Sequence, residues 1–251
     1  MHEIKFLVSQ YSISRKKFTL DQKITLGKSF LGYMGLSDPD PDINISPIVD
    51  IKDFTDKVQP KNKIIKMIKA GYKKDFKENG NLQLGSFLYY QKHDNPEIGD
   101  PSEAKFVLIG EKDDLTIVAN VGGGYNCRLF CCYDGDPNED IIKKFEYDDS
   151  FIIRDPENFL LAISKTINSI YHKRAKCIYA QYKIIQGPLP GNFNPSRIDL
   201  SVLEIVNEYK YFVKTSQFSP QNEYRFIWFI SDEVTDAKVI NCPEARQYCE
   251  F

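Results

Sequence analysis

Histidine and tryptophan are scarce in this chain of 251 residues, with three His and one Trp. The histidines are His2, His93 and His172. Their spacing builds no Ser-His-Asp or Cys-His set, which argues against histidine-based hydrolysis and a histidine metal site. Long apolar runs are missing too. No stretch approaches the roughly 18 apolar residues of a membrane-spanning helix. The opening residues, MHEIKFLVSQ, lack the long apolar core and small-residue cleavage site of a secretion signal. Neither sign of charge dominates. Thirty-three Lys and Arg against 35 Asp and Glu leave a formal net charge of −2, so no chain-wide field for nucleic acid is expected. The expected setting is cytoplasmic, with no membrane partner and with reduced thiols.

Metal-ligand patterns are absent as well. The cysteines are Cys127, Cys131, Cys132, Cys177, Cys242 and Cys249. CRLFCC lacks the usual two-residue spacer and has no histidine beside it, so core thiols are expected rather than zinc ligands. Cys242 and Cys249, near the C-terminus, are expected to be exposed and oxidisable. Asp38, Asp40 and Asp42 alternate as in some calcium loops. No glycine follows at the right place and no glutamate closes a loop, so no metal is expected. VGGGYN (121–126) is not a P-loop or a dinucleotide fingerprint, and reads as a hairpin turn.

What is present is aromatic and periodic: 15 Tyr and 17 Phe. A helix capped at Thr19 or Asp21 is expected to run to about Gly35. Residues 61–77, KNKIIKMIKAGYKKDFK, read as a lysine-rich amphipathic helix stopped by Asn79–Gly80–Asn81. Its ordinary role is a solvated face. The functional alternative is a phosphate- or RNA-contacting surface using Lys66, Lys69, Lys73 and Lys74. The period then switches to two, and strands are expected over 4–9, 82–90, 104–110, 114–121, 125–134, 151–155, 177–185 and the stretch ending at Ile230. Asp155 caps a helix with Pro156 in its first turn, running towards His172. A further helix is expected over 199–212. This order predicts an α+β fold. It is a single domain with a central, mainly antiparallel sheet flanked by helices. Residues 1–78 form a mostly helical N-terminal portion and 79–251 the sheet-containing core.

The most informative stretch is FSPQNEYRFIWFI (218–230). On a strand, Gln221, Glu223 and Arg225 share one face, while Tyr224, Phe226 and Trp228 share the other. A salt-bridged solvent face is one reading of that stripe. The other is a cleft-edge carboxylate, with Gln221 orienting a substrate by its amide and Arg225 holding Glu223 ionised or pairing with a phosphate. Asp100–Pro101 suits a turn, and the same loop can present Asp100 and Glu103 to a cleft.

The chain resembles a broad group of uncharacterised bacterial proteins, many linked to mobile elements and phage defence. Their shared features are a tyrosine-bearing strand, a G/N-D-P-x-E turn and a late Lys…Phe…Glu/Gln-x-Glu-x-Arg strand. Here these are Tyr89 and Tyr90; Gly99, Asp100, Pro101 and Glu103; and Lys214, Phe218, Gln221, Glu223 and Arg225. QNEYRF is also similar to the Gln/Glu-x-Glu motif of ADP-ribosyltransferases. That second likeness implies NAD as substrate. It makes Glu223 the catalytic carboxylate, Gln221 the acceptor reader, and Tyr89 or Tyr90 a stacking surface for nicotinamide. The early-strand Arg or His and the Ser-Thr-Ser strand of that superfamily have no counterpart here. The implied protein is a toxin or phage-defence effector with a protein or nucleic-acid acceptor and a phage or antitoxin protein as partner. On that reading Glu223→Gln abolishes NAD consumption with the melting temperature nearly unchanged. The rivals are a non-catalytic sensor of a phage protein or nucleotide signal, and an RNA-binding or RNA-directed protein.

Overall fold

Capping chemistry starts two helices, those after Thr19 and Asp155, where the sequence predicts. In the computed structural model, which describes residues 6–36, 45–54, 63–137, 139–191, 193 and 208–251, the first helix follows Thr19. The Thr19 hydroxyl accepts from the Gln22 amide at 3.3 Å, and the Gln22 side chain accepts from the Thr19 amide at 3.0 Å. This reciprocal pair satisfies two otherwise orphaned donors. The first half of the described chain runs β1 (Phe6–Ser14), α1 (Leu20–Tyr33), β2 (Val49–Asp50), β3 (Ile64–Ile68), α2 (Ala70–Asn79), β4 (Asn81–Leu84), α3 (Phe87–Gln91), β5 (Lys105–Lys112), β6 (Leu115–Gly123) and β7 (Cys127–Asp134). Then follow α4 (Glu139–Phe145), β8 (Asp149–Ile153), α5 (Pro156–Thr166), β9 (Tyr171–Lys176), β10 (Ile178–Ala180), β11 (Ile184–Pro188), β12 (Val213–Thr215), β13 (Glu223–Phe229), β14 (Lys238–Asn241) and β15 (Cys249–Glu250).

These elements make the expected α+β fold. Its strands lie in two larger sheets rather than one central sheet, ordered β1-β6-β5-β11-β2 and β15-β8-β3-β7-β13-β9. Two strand pairs, β10-β12 and β14-β4, complete the set among the described residues. Pairing is mostly antiparallel; β11 is parallel to β5 and β2, and β10 to β12. Alternation along β5 divides its side chains between two cores. Phe106 and Leu108 face one cluster, while Val107 and Ile109 pack with Phe30 and Leu31 of α1. The six-stranded sheet packs Phe130, Phe226 and Trp228 against Phe159 and Leu160 of α5. Burying each such side chain contributes roughly 1.5–3 kcal/mol. Trp228 is fully buried, and its indole N–H donates to the Leu160 carbonyl at 3.0 Å.

Four stretches depart from expectation. Residues 61–77 are not one helix. Ile64–Ile68 form a strand that pairs with both β7 and β8, and the helix begins only at Ala70. The β-branched run fits a pleated core position, and that pairing overrides the helical spacing. Among the described residues, 1–78 thus supply the strands β1, β2 and β3 alongside the expected helices. Nor do the four lysines share a helix face. The Lys66 ammonium donates to the Cys131 carbonyl at 2.9 Å, and Lys73 pairs with Asp149 at 2.6 Å. The 82–90 strand stops at Leu84, because the Ser86 hydroxyl caps α3 by accepting from the Tyr89 amide. Tyr89 and Tyr90 thus ride on a helix. His172 lies on β9 rather than at a helix end, drawn there by pairing with β13. The predicted strand 177–185 is split between β10 and β11.

Asn79–Gly80 ends α2 as expected, with Gly80 left-handed at φ 80°. All six thiols are free. Contrary to expectation Cys242 is buried, at 1% exposure, and accepts from the Thr166 hydroxyl at 3.1 Å. The Asp38, Asp40 and Asp42 loop, and residues 199–207 of the expected 199–212 helix, lie outside the described residues. The described end of that helix, 208–212, is a 3₁₀ turn.

Candidate functional site

The polar stripe of the late strand is buried. Glu223 and Arg225 project from β13 and are 5% and 1% exposed. Gln221 is not on the strand. It ends a 3₁₀ segment (Ser216–Gln221), and left-handed Asn222, at φ 39°, turns the chain into β13. Gln221 still reaches the same group. A solvent-facing salt bridge is therefore excluded for these three side chains.

Charged side chains from two other segments, Glu103 and Lys214, meet them. Arg225 donates to both oxygens of Glu103 at 3.0 and 2.8 Å, to Glu223 Oε1 at 2.7 Å and to the Tyr211 carbonyl at 2.7 Å. The Lys214 ammonium, from β12, donates to Glu223 Oε2 at 2.8 Å and to the Gln221 carbonyl oxygen at 3.0 Å. Its distance to Glu103 is 3.6 Å. The Gln221 amide nitrogen donates to the Glu97 carbonyl at 2.6 Å. Two carboxylates and two cations thus balance within the core, the condition for keeping buried charges ionised.

The segment Asp100–Glu103 holds Glu103 in place. The Asp100 side chain accepts from the Ser102 amide at 2.8 Å, and the Asp100 amide donates to the Tyr90 carbonyl at 3.0 Å. This is the Asx turn that Asp-Pro predicts. Asp100 itself does not line the recess that holds Glu223. Its partner is Lys183, 3.9 Å away and also buried. Lys183 was not anticipated, although a lone lysine in the apolar run CIYAQYKII is a sequence signal for a buried partner.

Burial pushes the Glu223 carboxyl up, but Arg225 and Lys214 outweigh it and hold the group well below the usual carboxylate range. Burial pushes Lys214 down, and Glu223 with Glu103 reverses that, leaving it above the ordinary lysine value. Asp100 follows the pattern of Glu223: burial raises it, Lys183 and Lys214 lower it further. The Cys131 thiol is pushed up to about 12 by burial and by the Glu223 charge.

This network floors a recess of about 70 Å³ lined by Tyr90, Glu103, Lys214, Gln221, Glu223 and Arg225, among others. Lys66, Met67, Tyr90, Ile98, Phe145 and Tyr147 line both the recess and a wider cleft of about 410 Å³. The cleft adds Tyr72, Tyr89, Lys69 and His93. Its volume falls within the roughly 300–1,000 Å³ of small-molecule sites. Gly85 lets Tyr90 lie close: a Cβ there would sit 2.7 Å from the tyrosine ring. Tyr89 packs edge-on to Tyr90, with centroids 5.2 Å apart, and lines the cleft rather than the recess. Of the eight side chains singled out from the sequence, the recess gathers Tyr90, Glu103, Lys214, Gln221, Glu223 and Arg225. Asp100 and Tyr89 lie beside it. Lys66, expected on a lysine-rich helix face, lines the recess from a strand; Cys131, Tyr133 and Tyr147 had no sequence signal as site residues, because strand pairing and loop packing bring them in.

Each carboxylate of the recess floor already faces a cation, so the floor offers no excess negative charge for a metal. No group of three metal-ligating side chains occurs among the described residues. No protein-family model, curated protein or solved structure matches the chain.

Proposed function

We propose that the recess and cleft form the active site of an enzyme that cleaves the N-glycosidic bond of NAD. The observation that carries this reading is Glu223: buried, held ionised, and set at the floor of a recess that opens into a tyrosine-lined cleft. Cleavage of that bond develops positive charge on the ribose, and a preorganised carboxylate in a water-poor site stabilises it. Glu223 is the electrostatic stabiliser. Arg225 and Lys214 fix its position and its charge. Tyr90 and Tyr89 offer ring surface to the nicotinamide or adenine, and Lys66 and Lys69 supply positive charge to the diphosphate. Gln221 has a different part from an acceptor reader, because both ends of its amide are engaged by Lys214 and Glu97; it positions Lys214. With the likeness to phage-defence proteins, the enzyme reads as a toxin or defence effector with a protein or nucleic-acid acceptor.

One observation favours a sensor. Both Glu223 oxygens are satisfied by internal donors, so the network is complete without a substrate. On that reading the cleft binds a nucleotide signal without turning it over.

The test is nicotinamide release from NAD by the purified protein, with and without cell extract, alongside calorimetric NAD binding. Release that vanishes in Glu223→Gln and falls in Tyr90→Ala supports the enzyme. Binding without release supports the sensor. Neither binding nor release overturns both readings of the cleft.

A further inference from the structure

Lys214 and Thr215 are consecutive on β12, so their side chains leave opposite faces of the strand. Lys214 lines the recess described above. Thr215 lines a different one, of about 130 Å³, with Asp100, Ser102, Lys183, Gln217 and Tyr182. The turn that carries Glu103 to the first recess therefore carries Asp100 to the second.

Two residues lining this second recess each carry a buried polar atom with no hydrogen-bond partner: Asp100 Oδ2 and Thr215 Oγ1. The other Asp100 oxygen is taken by the Ser102 amide and hydroxyl. Lys183 does not complete Oδ2. Its ammonium is 3.9 Å away, beyond hydrogen-bond reach, and donates to the Ser102 carbonyl at 2.6 Å. Leaving a buried carboxylate oxygen and a buried hydroxyl unmet is costly, and native proteins rarely tolerate it without a partner from outside the chain. The lining also includes apolar surface from Leu31, Leu36 and the Tyr182 ring. A mixed lining of this kind suits a carbon ring that carries hydroxyls. The volume is on the scale of the about 150 Å³ cavity that accepts benzene.

We propose that this recess is a second binding site, for a vicinal diol carried on a small sugar ring, with Asp100 Oδ2 accepting from one hydroxyl and Thr215 Oγ1 meeting its neighbour. Net charge supports a neutral ligand, because Asp100 is already balanced by Lys183. The site stands apart from the NAD reading and does not depend on it.

Calorimetry with D-ribose, adenosine and 2′-deoxyadenosine at millimolar concentration tests the site on the whole chain. D-Ribose is the free-sugar arm and adenosine the nucleoside arm; at least one binds. 2′-Deoxyadenosine, which lacks the vicinal pair, binds at least about tenfold more weakly than adenosine if the nucleoside is the ligand, the loss of one good hydrogen bond. Thr215→Val weakens the bound probe by about tenfold, Thr215→Ser retains it, and both variants keep the wild-type melting temperature. Tyr90→Ala, in the other cleft, leaves this binding unchanged. No heat with any probe means that the orphan atoms are met by water alone and overturns the site. Undiminished affinity in Thr215→Val overturns it, as does binding that is lost in Tyr90→Ala.

Discussion

Arg225 and Glu103 lie 122 residues apart in sequence and meet as a fork, two parallel N–H···O bonds of 3.0 and 2.8 Å with both side chains buried. The pair joins the Asp-Pro turn to the late strand. Removing one member leaves the other charge buried and unmatched, which costs about 3–5 kcal/mol. Glu103→Ala is therefore expected to lower the urea midpoint sharply. Glu103→Leu combined with Arg225→Met should recover part of that loss. A single variant as stable as the wild type would mean that the fork is not formed in solution.

Glu223→Gln is not the silent substitution that a surface carboxylate would allow. It leaves Lys214 and Arg225 facing one buried anion instead of two. A loss of about 3 kcal/mol is expected, which is about 6–12 °C in melting temperature for a chain of this length. Lost NAD turnover in this variant must accordingly be read beside its folded fraction by circular dichroism. Tyr90→Ala removes no charge and provides the independent check on the cleft.

Acid should destabilise the protein through the same groups. Glu223 and Asp100 have folded pKa values below their unfolded ones. Their contribution is present above the ordinary carboxylate range, about pH 4, and is lost as the pH falls further, where the unfolded chain binds more protons. Lys214 works in the opposite direction: its raised value stabilises below about pH 10 and the contribution fades as the pH rises through the folded value. Urea midpoints at pH 7, 4.5 and 3.5 should fall less steeply for Glu223→Gln than for the wild type. Equal slopes would show that Glu223 titrates alike in both states.

The thiols should be slow to react. Cys131 and Cys249 are both pushed up to about 12, Cys131 by burial and Glu223, Cys249 by burial. Thiolate is the reactive form, so native protein at pH 7.5 should take up little maleimide. All six cysteines should label after unfolding in urea. Rapid modification of the native chain at Cys242 or Cys249 would contradict the packing at the C-terminal end.

The sequence alone determined what depends on neighbours in the chain. Thr19 with Gln22, and Asp155 with Pro156, start helices because a side chain three residues away meets an orphaned amide. The alternation of 105–112, 115–123 and 127–134 produced strands because a period of two matches a sheet with distinct faces. Gln221, Glu223 and Arg225 stood out because polar and charged groups beside IWFI need partners. The identity of those partners was decided only by tertiary structure. Lys183 and the cleft wall at Lys66 and Tyr147 come from separate segments that no local rule connects. IIKMI became a strand, and Tyr89–Tyr90 a helix, where pairing with β7 and the Ser86 cap outweighed the local pattern. Burial of the polar stripe was likewise a tertiary outcome: one face of a strand is wet or dry according to what packs on it, and here Glu103, Lys214 and the 3₁₀ segment close over Glu223 and Arg225.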